Sequence, residues 1–215
     1  MDITFLGHSC FRLRGGKATV VTDPYDSDMV GLKLARLSAD ILTISHDHTD
    51  HNNADLVSGV KKVVSGPGEY EIQGVSIIGI ATFHDDKKGK LRGKNTVYVI
   101  EIDGLRVAHL GDLGHKLDEP TLERIGTIDI LMIPVGGEYT IGPQQAVEIA
   151  RVIEPVVVIP MHYQMTGLNP KTFAALVKED EFVNSLGLPS ERLDKLTVRK
   201  EILGEDQRVV VLEKI

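Results

Sequence analysis

The stretch His46-Asp47-His48-Thr49-Asp50-His51 packs three imidazoles and two carboxylates into six residues. No folding requirement calls for such a cluster. Charged imidazoles this close would repel one another; held neutral beside Asp50, they are good ligands for a borderline divalent ion. The stretch follows the apolar run Ala39-Asp40-Ile41-Leu42-Thr43-Ile44, which reads as a strand covered on both faces. The cluster therefore stands where a strand ends, the usual place for chemistry in layered α/β folds. In extended geometry His46, His48 and Asp50 face one side, because side chains alternate with period two. His51 breaks that parity, so the chain must turn there. One short peptide cannot wrap an ion alone, and further ligands must come from elsewhere.

Three candidates follow, each near the end of an expected strand. His84 ends the run 77–83, Asp112 ends 105–110 within Leu110-Gly111-Asp112, and His162 ends 155–159 within Pro160-Met161-His162-Tyr163. Gly111 would let the backbone come close to an ion.

The rest of the chain supplies the frame. Residues 2–5, 11–13 and 18–22 read as strands, with Gly15-Gly16 turning between the last two. Strands are also expected at 40–44, 62–65, 75–82, 96–102 and 105–110, with Asp103-Gly104 as the hairpin turn before the last. The second half brings helices at 118–125, with Pro120 in the first turn and Gly126 at the end, and at 143–153. In the latter, Ala146, Ile149, Ala150 and Ile153 share one face. Strands at 129–134 and 155–159, a helix at 169–179 and a hairpin of 196–202 with 208–212 around Gly204 complete the expectation. Residues 166–195 are less regular and could form part of a rim over the site. Meandering strands followed by helices beside further strands suggest two sheets with helices outside, in one domain spanning residues 1–215.

Composition narrows the classes. Apolar residues make up 42% of the 215 and charges of both signs are dispersed, which places the chain among soluble globular proteins with a sizeable core. The formal net charge of −7 lacks the basic excess of a nucleic-acid binder. Lys87, Lys88, Lys90, Arg92 and Lys94 form one local basic patch, read as a solvated loop. Cys10 is the sole cysteine, so no intrachain disulfide can form, and it reads as a small buried apolar residue. No apolar run approaches the roughly 18 residues that span a bilayer, and no secretion segment precedes Ile3. The expectation is a cytoplasmic protein with a small-molecule substrate and neither membrane nor nucleic acid as partner. A homo-oligomer is the default for such a chain. Gly7-His8-Ser9-Cys10 is not a serine-nucleophile elbow, and Gly66-Pro67-Gly68 lacks the lysine of a phosphate loop.

His46-x-His48-x-Asp50-His51, the later lone His84, the Gly111-Asp112 pair and His162 resemble, in order, the metal motifs of the metallo-β-lactamase superfamily. Gly7-His8-Ser9, Thr22-Asp23-Pro24 and Ile159-Pro160-Met161-His162-Tyr163 resemble one branch, the bacterial and archaeal zinc-dependent hydrolases related to ascorbate-6-phosphate lactonase. The resemblance implies an α/β fold of four layers, an αββα sandwich. It implies that His46, His48 and His84 hold one divalent ion, that Asp50, His51 and His162 hold a second, and that Asp112 bridges them. Zinc suits these donors best, while manganese, iron or cobalt would share them. A hydroxide bridging such a pair would attack a lactone, ester or phosphoester bond in a small metabolite, with Asp50 and Asp112 in the catalytic centre. His8 is a candidate to line the cleft and hydrogen-bond the substrate or the attacking water. Asp23 is a candidate to orient a ligand histidine, and Tyr163 to donate to a developing oxyanion. His109 and His115 read as structural. No Glu or Cys replaces the second motif histidine, unlike the di-iron relatives, and no Gly- and Pro-rich arm extends as in tRNA-processing relatives. Two other readings stay open: a nuclease-type phosphodiesterase, and a metal-binding or sensor module without turnover.

Overall fold

Apolar residues on both faces make Thr19–Thr22 and Ile41–Ile44 interior strands. In the computed structural model, which describes residues 1–215, Val20 and Ile41 belong to the core between two sheets, whereas Val21 and Leu42 belong to a second core outside the first sheet. This is why 39–44 reads as a nearly unbroken apolar run rather than an amphipathic one.

The first sheet has six strands in the order Leu196–Thr197, Asp2–Gly7, Cys10–Arg14, Thr19–Thr22, Ile41–Ile44 and Lys62–Ser65. The second has eight, in the order Ser190–Leu193, Arg208–Leu212, Val157–Met161, Ile130–Pro134, Leu105–His109, Lys94–Ile102, Val75–Phe83 and Gly68–Ile72. Helices Pro143–Ile153 and Glu179–Leu186 pack together over the second sheet. The helix Ser27–Val30 and the segment carrying Leu168, Phe173 and Leu176 cover the first. The result is the four-layer αββα sandwich. Tyr98 ties the sheets through the middle: it lies on Lys94–Ile102, donates its hydroxyl to Ile44 O at 2.8 Å in the other sheet, and accepts from Gly66 N at 2.8 Å.

Strand direction places the site. Thr19–Thr22, Ile41–Ile44 and Lys62–Ser65 are parallel, as are Leu105–His109, Ile130–Pro134, Val157–Met161 and Arg208–Leu212. Their C-terminal ends open on one edge of the sandwich, where binding sites of layered α/β folds form. No helix is long and apolar enough to cross a membrane.

Two expectations change. The helix expected at 169–179 is a single turn, Pro170–Phe173, and the long helix starts later, at Glu179. Between them, backbone groups are spent elsewhere: Val177 N donates to Gly136 O at 2.9 Å and Gln164 N donates to Val177 O at 2.9 Å. The expected hairpin of 196–202 with 208–212 does not exist. Leu196–Thr197 joins the first sheet beside Asp2 and Ile3, while Arg208–Leu212 enters the second sheet between two parallel neighbours. Val209 to Leu212 are all buried, so this strand needs cover on both faces, which an exposed two-stranded ribbon cannot give.

Candidate metal centre

The seven residues singled out by the sequence come together at the open edge of the sandwich. His46 follows the strand Ile41–Ile44, and the chain turns just beyond it, with His51 N donating to His48 O at 2.9 Å. His84 follows Val75–Phe83, Asp112 lies just beyond Leu105–His109, and His162 follows Val157–Met161. Their ligand-capable atoms form three overlapping groups, each within 4.8 Å: His46, His48 and His84; His8, Asp50, His51 and His162; and His46, His51 and Asp112.

Asp112 is the hub. Its Oδ2 lies 3.1 Å from His84 Nε2, 3.3 Å from His51 Nε2, 3.3 Å from His162 Nε2 and 3.9 Å from His46 Nε2. Donors about 2.0–2.1 Å from a tetrahedral ion stand roughly 3.3 Å from one another, so these separations suit ligands that share a cation. Buried His46 Nε2, His162 Nε2 and Asp112 Oδ1 have no hydrogen-bond partner. Orphaned buried polar atoms are costly, and here they converge on one spot. The donor set and these orphans fit divalent ions. His48 is exposed and stands at the rim, whereas His46, His51, His84 and His162 are buried.

Burial and repulsion from neighbouring imidazoles keep His46 and His8 neutral. Burial, with the neighbouring His51, drives His46 down to about 3. Burial, with His162, takes His8 to about 4. Burial works against ionisation of Asp112, but His162, His51 and His84 outweigh it and hold the carboxyl well below its ordinary range. His51 moves the other way: burial opposes its charge, yet Asp112 and Asp50 raise it well above an ordinary histidine. The carboxylates thus demand positive charge at this point, which a divalent ion supplies better than a proton.

The supporting groups divide into expected and unforeseen ones. Asp23 Oδ2 accepts from His51 Nδ1 at 3.0 Å and from Ser45 Oγ at 2.6 Å, and its Oδ1 accepts from Ser45 N at 2.8 Å. The same Ser45 Oγ lies 2.9 Å from His46 Nδ1, so one carboxylate orients two of the candidate ligands. Asn95 holds the Asp112 turn: its Oδ1 accepts from Asp112 N at 2.9 Å, and its Nδ2 donates to Leu110 O at 2.9 Å. Neither Ser45 nor Asn95 belongs to a motif, and a lone serine or asparagine at a strand end carries no signal in one sequence.

The remaining candidates separate clearly. His8 Nε2 lies 3.2 Å from Asp50 Oδ2, and the His8 ring sits 4.1 Å from that of His162, so His8 belongs to the cluster. Tyr163 does not. It turns away from His162, packs on Phe5 with ring centroids 6.3 Å apart, and lines a different cavity with Lys178 and Arg192. The chain has left the strand at Met161, and the left-handed backbone of His162 (φ 52°) turns the path there. His109 Nε2 bonds Ser9 O at 2.9 Å, and His115 Nε2 accepts from Phe83 N at 3.1 Å just ahead of His84, so each ring is engaged with backbone rather than with the cluster.

Two cavities adjoin the cluster. One of about 150 Å³ is lined by His48, Asp50, His84 and Asp112 with Arg92, Tyr139 and Phe173. A larger one of about 600 Å³ includes His46, His48, Arg92 and Lys94. Phe173 and Thr172 bring the irregular segment expected as a rim into contact with the site.

Comparison with known proteins agrees with this fold. The beta-lactamase superfamily domain family matches residues 2–162. A UPF0173 metal-dependent hydrolase of Thermococcus onnurineus is 30% identical, with 82% of this chain and 92% of that protein aligned. Its counterpart in Thermoplasma volcanium is 34% identical, over 76% and 84% respectively. Among solved structures, a candidate Zn-dependent hydrolase of the metallo-beta-lactamase superfamily from Thermotoga maritima superposes with a TM-score of 0.81 at 40% identity, covering 98% of this chain and 97% of the other. A metallo hydrolase from Ignicoccus hospitalis shares the fold, with a TM-score of 0.69 at 21% identity over 99% and 95% of the two chains.

Proposed function

This chain belongs to the metallo-β-lactamase superfamily, among its UPF0173-like metal-dependent hydrolases, and from that premise we propose that it hydrolyses a lactone, ester or phosphoester bond in a small metabolite at a dinuclear metal centre. His46, His48 and His84 would hold one ion, Asp50, His51 and His162 the other, and Asp112 would bridge. Zinc is the first choice of metal, with manganese and iron using the same donors. When bound, such ions lower the pKa of water and polarise the bond under attack. The kinship with ascorbate-6-phosphate lactonase suggested by the Gly7-His8-Ser9 and Ile159–Tyr163 segments fits a lactone or ester substrate.

The observation that carries this reading is the convergence of four imidazole Nε2 atoms on one oxygen of Asp112. The chain's own side chains have definable parts in it. Asp23 and Ser45 fix the tautomers of His51 and His46. His8, beside Asp50, is placed to hydrogen-bond the substrate or the attacking water. His48, exposed at the rim, leaves the centre open to solvent on one side. We read residues 1–215 as one domain, because the larger core draws side chains from both sheets and from segments on either side of residue 162.

A screen of esters, lactones and phosphodiesters with zinc and with manganese is expected to reveal turnover. His48→Ala should abolish it while circular dichroism and melting stay close to wild type, since an exposed side chain contributes little to the core. Undiminished turnover after rigorous removal of metal, or in His48→Ala, would overturn the proposal.

A further inference from the structure

Arg92 is the one side chain shared by both cavities beside the cluster that carries a permanent positive charge. Its guanidinium forms no ion pair and donates no hydrogen bond within the protein. It lies 5.6 Å from the centroid of the Tyr139 ring, and the Tyr139 hydroxyl is itself tied to Thr172 O at 2.6 Å. The fork of N–H groups, suited to a carboxylate or phosphate, is therefore left free toward solvent and cleft.

The backbone beneath Arg92 is held unusually well for a surface loop. Asp85 Oδ1 accepts from Lys87 N at 2.8 Å and Gly89 N at 2.9 Å, and its Oδ2 accepts from Leu91 N at 2.9 Å and Arg92 N at 2.7 Å. Partial burial opposes the charge on Asp85, but these four N–H groups prevail and hold its carboxyl at about 2. His84 N closes the loop on Gly93 O at 3.1 Å. Arg92 is thus presented from a frame continuous with a candidate metal ligand. A side chain held in position loses less freedom on binding, which is the condition for selectivity.

Resting on the hydrolase reading above, we propose that Arg92 is the specificity-determining residue of this site, selecting substrates that carry a carboxylate or phosphate beyond the bond to be cleaved. Lys94, in the larger cavity and without an ion-pair partner, adds to the positive field. Asp47 lines the same cavity and partly offsets that field; its Oδ1 accepts from Asn52 Nδ2 at 2.5 Å, and it pairs with neither cation. The basic run 87–94 is therefore more than a solvated loop: one of its cations faces the cleft.

The test uses the full chain loaded with zinc and three hydroxamates, whose chelating end takes the metal centre. One has a neutral propyl tail, one a carboxyethyl tail and one a phosphonoethyl tail. Wild type should bind at least one acidic probe about tenfold or more tighter than the neutral one, the scale of a charge-assisted hydrogen-bonded pair. In Arg92→Met that ratio should fall to within about twofold of unity, and Arg92→Lys should recover only part of it, with metal content unchanged in both. The preferred acid identifies the anion. No preference in wild type, or a preference that persists in Arg92→Met, overturns the inference while leaving the metal centre standing. If the chain takes up no zinc, the metal centre falls and the inference with it; if zinc is held but no hydroxamate binds, the inference alone falls.

Discussion

Asp23 is buried among groups that all point their hydrogens at it, and the consequence is measurable. Asp23→Asn keeps the shape but sets an amide N–H either against Ser45 N–H or against His51 Nδ1 and Ser45 Oγ, so one arm of the network that orients His46 and His51 is lost. Zinc affinity is expected to drop about 10- to 100-fold, read by competition with a chromophoric chelator. At this scale, legibility depended on crowding. His46, His48, Asp50 and His51 were readable because several donors in one peptide have no other use, and His84, Asp112 and His162 because each ends an apolar strand. Ser45 and Asn95 were not readable: each acts through a single hydrogen-bond geometry set by distant segments, and nothing in their neighbours marks it. Tyr163 is the opposite case: it stands next to His162 in sequence, but the left-handed turn at His162 leaves its ring on Phe5, away from the cluster.

The site is an assembly of strand ends, and close backbone approach is what brings them together. Gly136 lies against the carbonyl of His162, so a Cβ there would collide with backbone rather than with a yielding side chain. Gly136→Ala should destabilise the fold by about 1–3 kcal/mol and displace His162, giving a lower melting temperature together with loss of close to one equivalent of bound metal by elemental analysis. Retention of full metal content would count against this account. Most strands and the helices at 119–125 and 143–153 were legible because burial pattern, proline and glycine agreed, but the largely exposed edge strands Gly68–Ile72 and Ser190–Leu193 carried no such pattern. The segment after Pro170 was not. Its start signal is genuine, since Asn169 Oδ1 accepts from Lys171 N at 3.1 Å, but Phe173 and Leu176 are drawn into the outer core and the turn cannot continue. The acidic trio Glu179, Asp180 and Glu181 marked the true helix start, where negative charge meets the helix dipole.

Across the whole molecule the two sheets are held by packing and by several polar links, Tyr98 among them, together with Thr96 N to Ser45 O and His109 Nε2 to Ser9 O, the last two each at 2.9 Å. The Tyr98 hydroxyl serves Ile44 O in the opposite sheet and Gly66 N just beyond its edge strand, and Tyr98→Phe would strand the buried Ile44 carbonyl. The expected loss is about 1–3 kcal/mol, measured as a lower urea midpoint at unchanged m-value; an unchanged midpoint would mean that water substitutes freely. The layered class was legible from strands preceding helices, but the paths of 196–197 and 208–212 were not, because local sequence cannot say which of two sheets a strand will join. That crossing has a consequence in time. Asp2 and Ile3 pair with Thr197 and Leu196, and Val198 N donates to Met1 O at 2.9 Å. At about 5–20 residues per second on the ribosome, the opening strand waits roughly 10–40 s for its outer neighbour. Throughout elongation the nascent chain carries an unfinished β edge, the kind of surface that chaperones shield and that invites wrong partners.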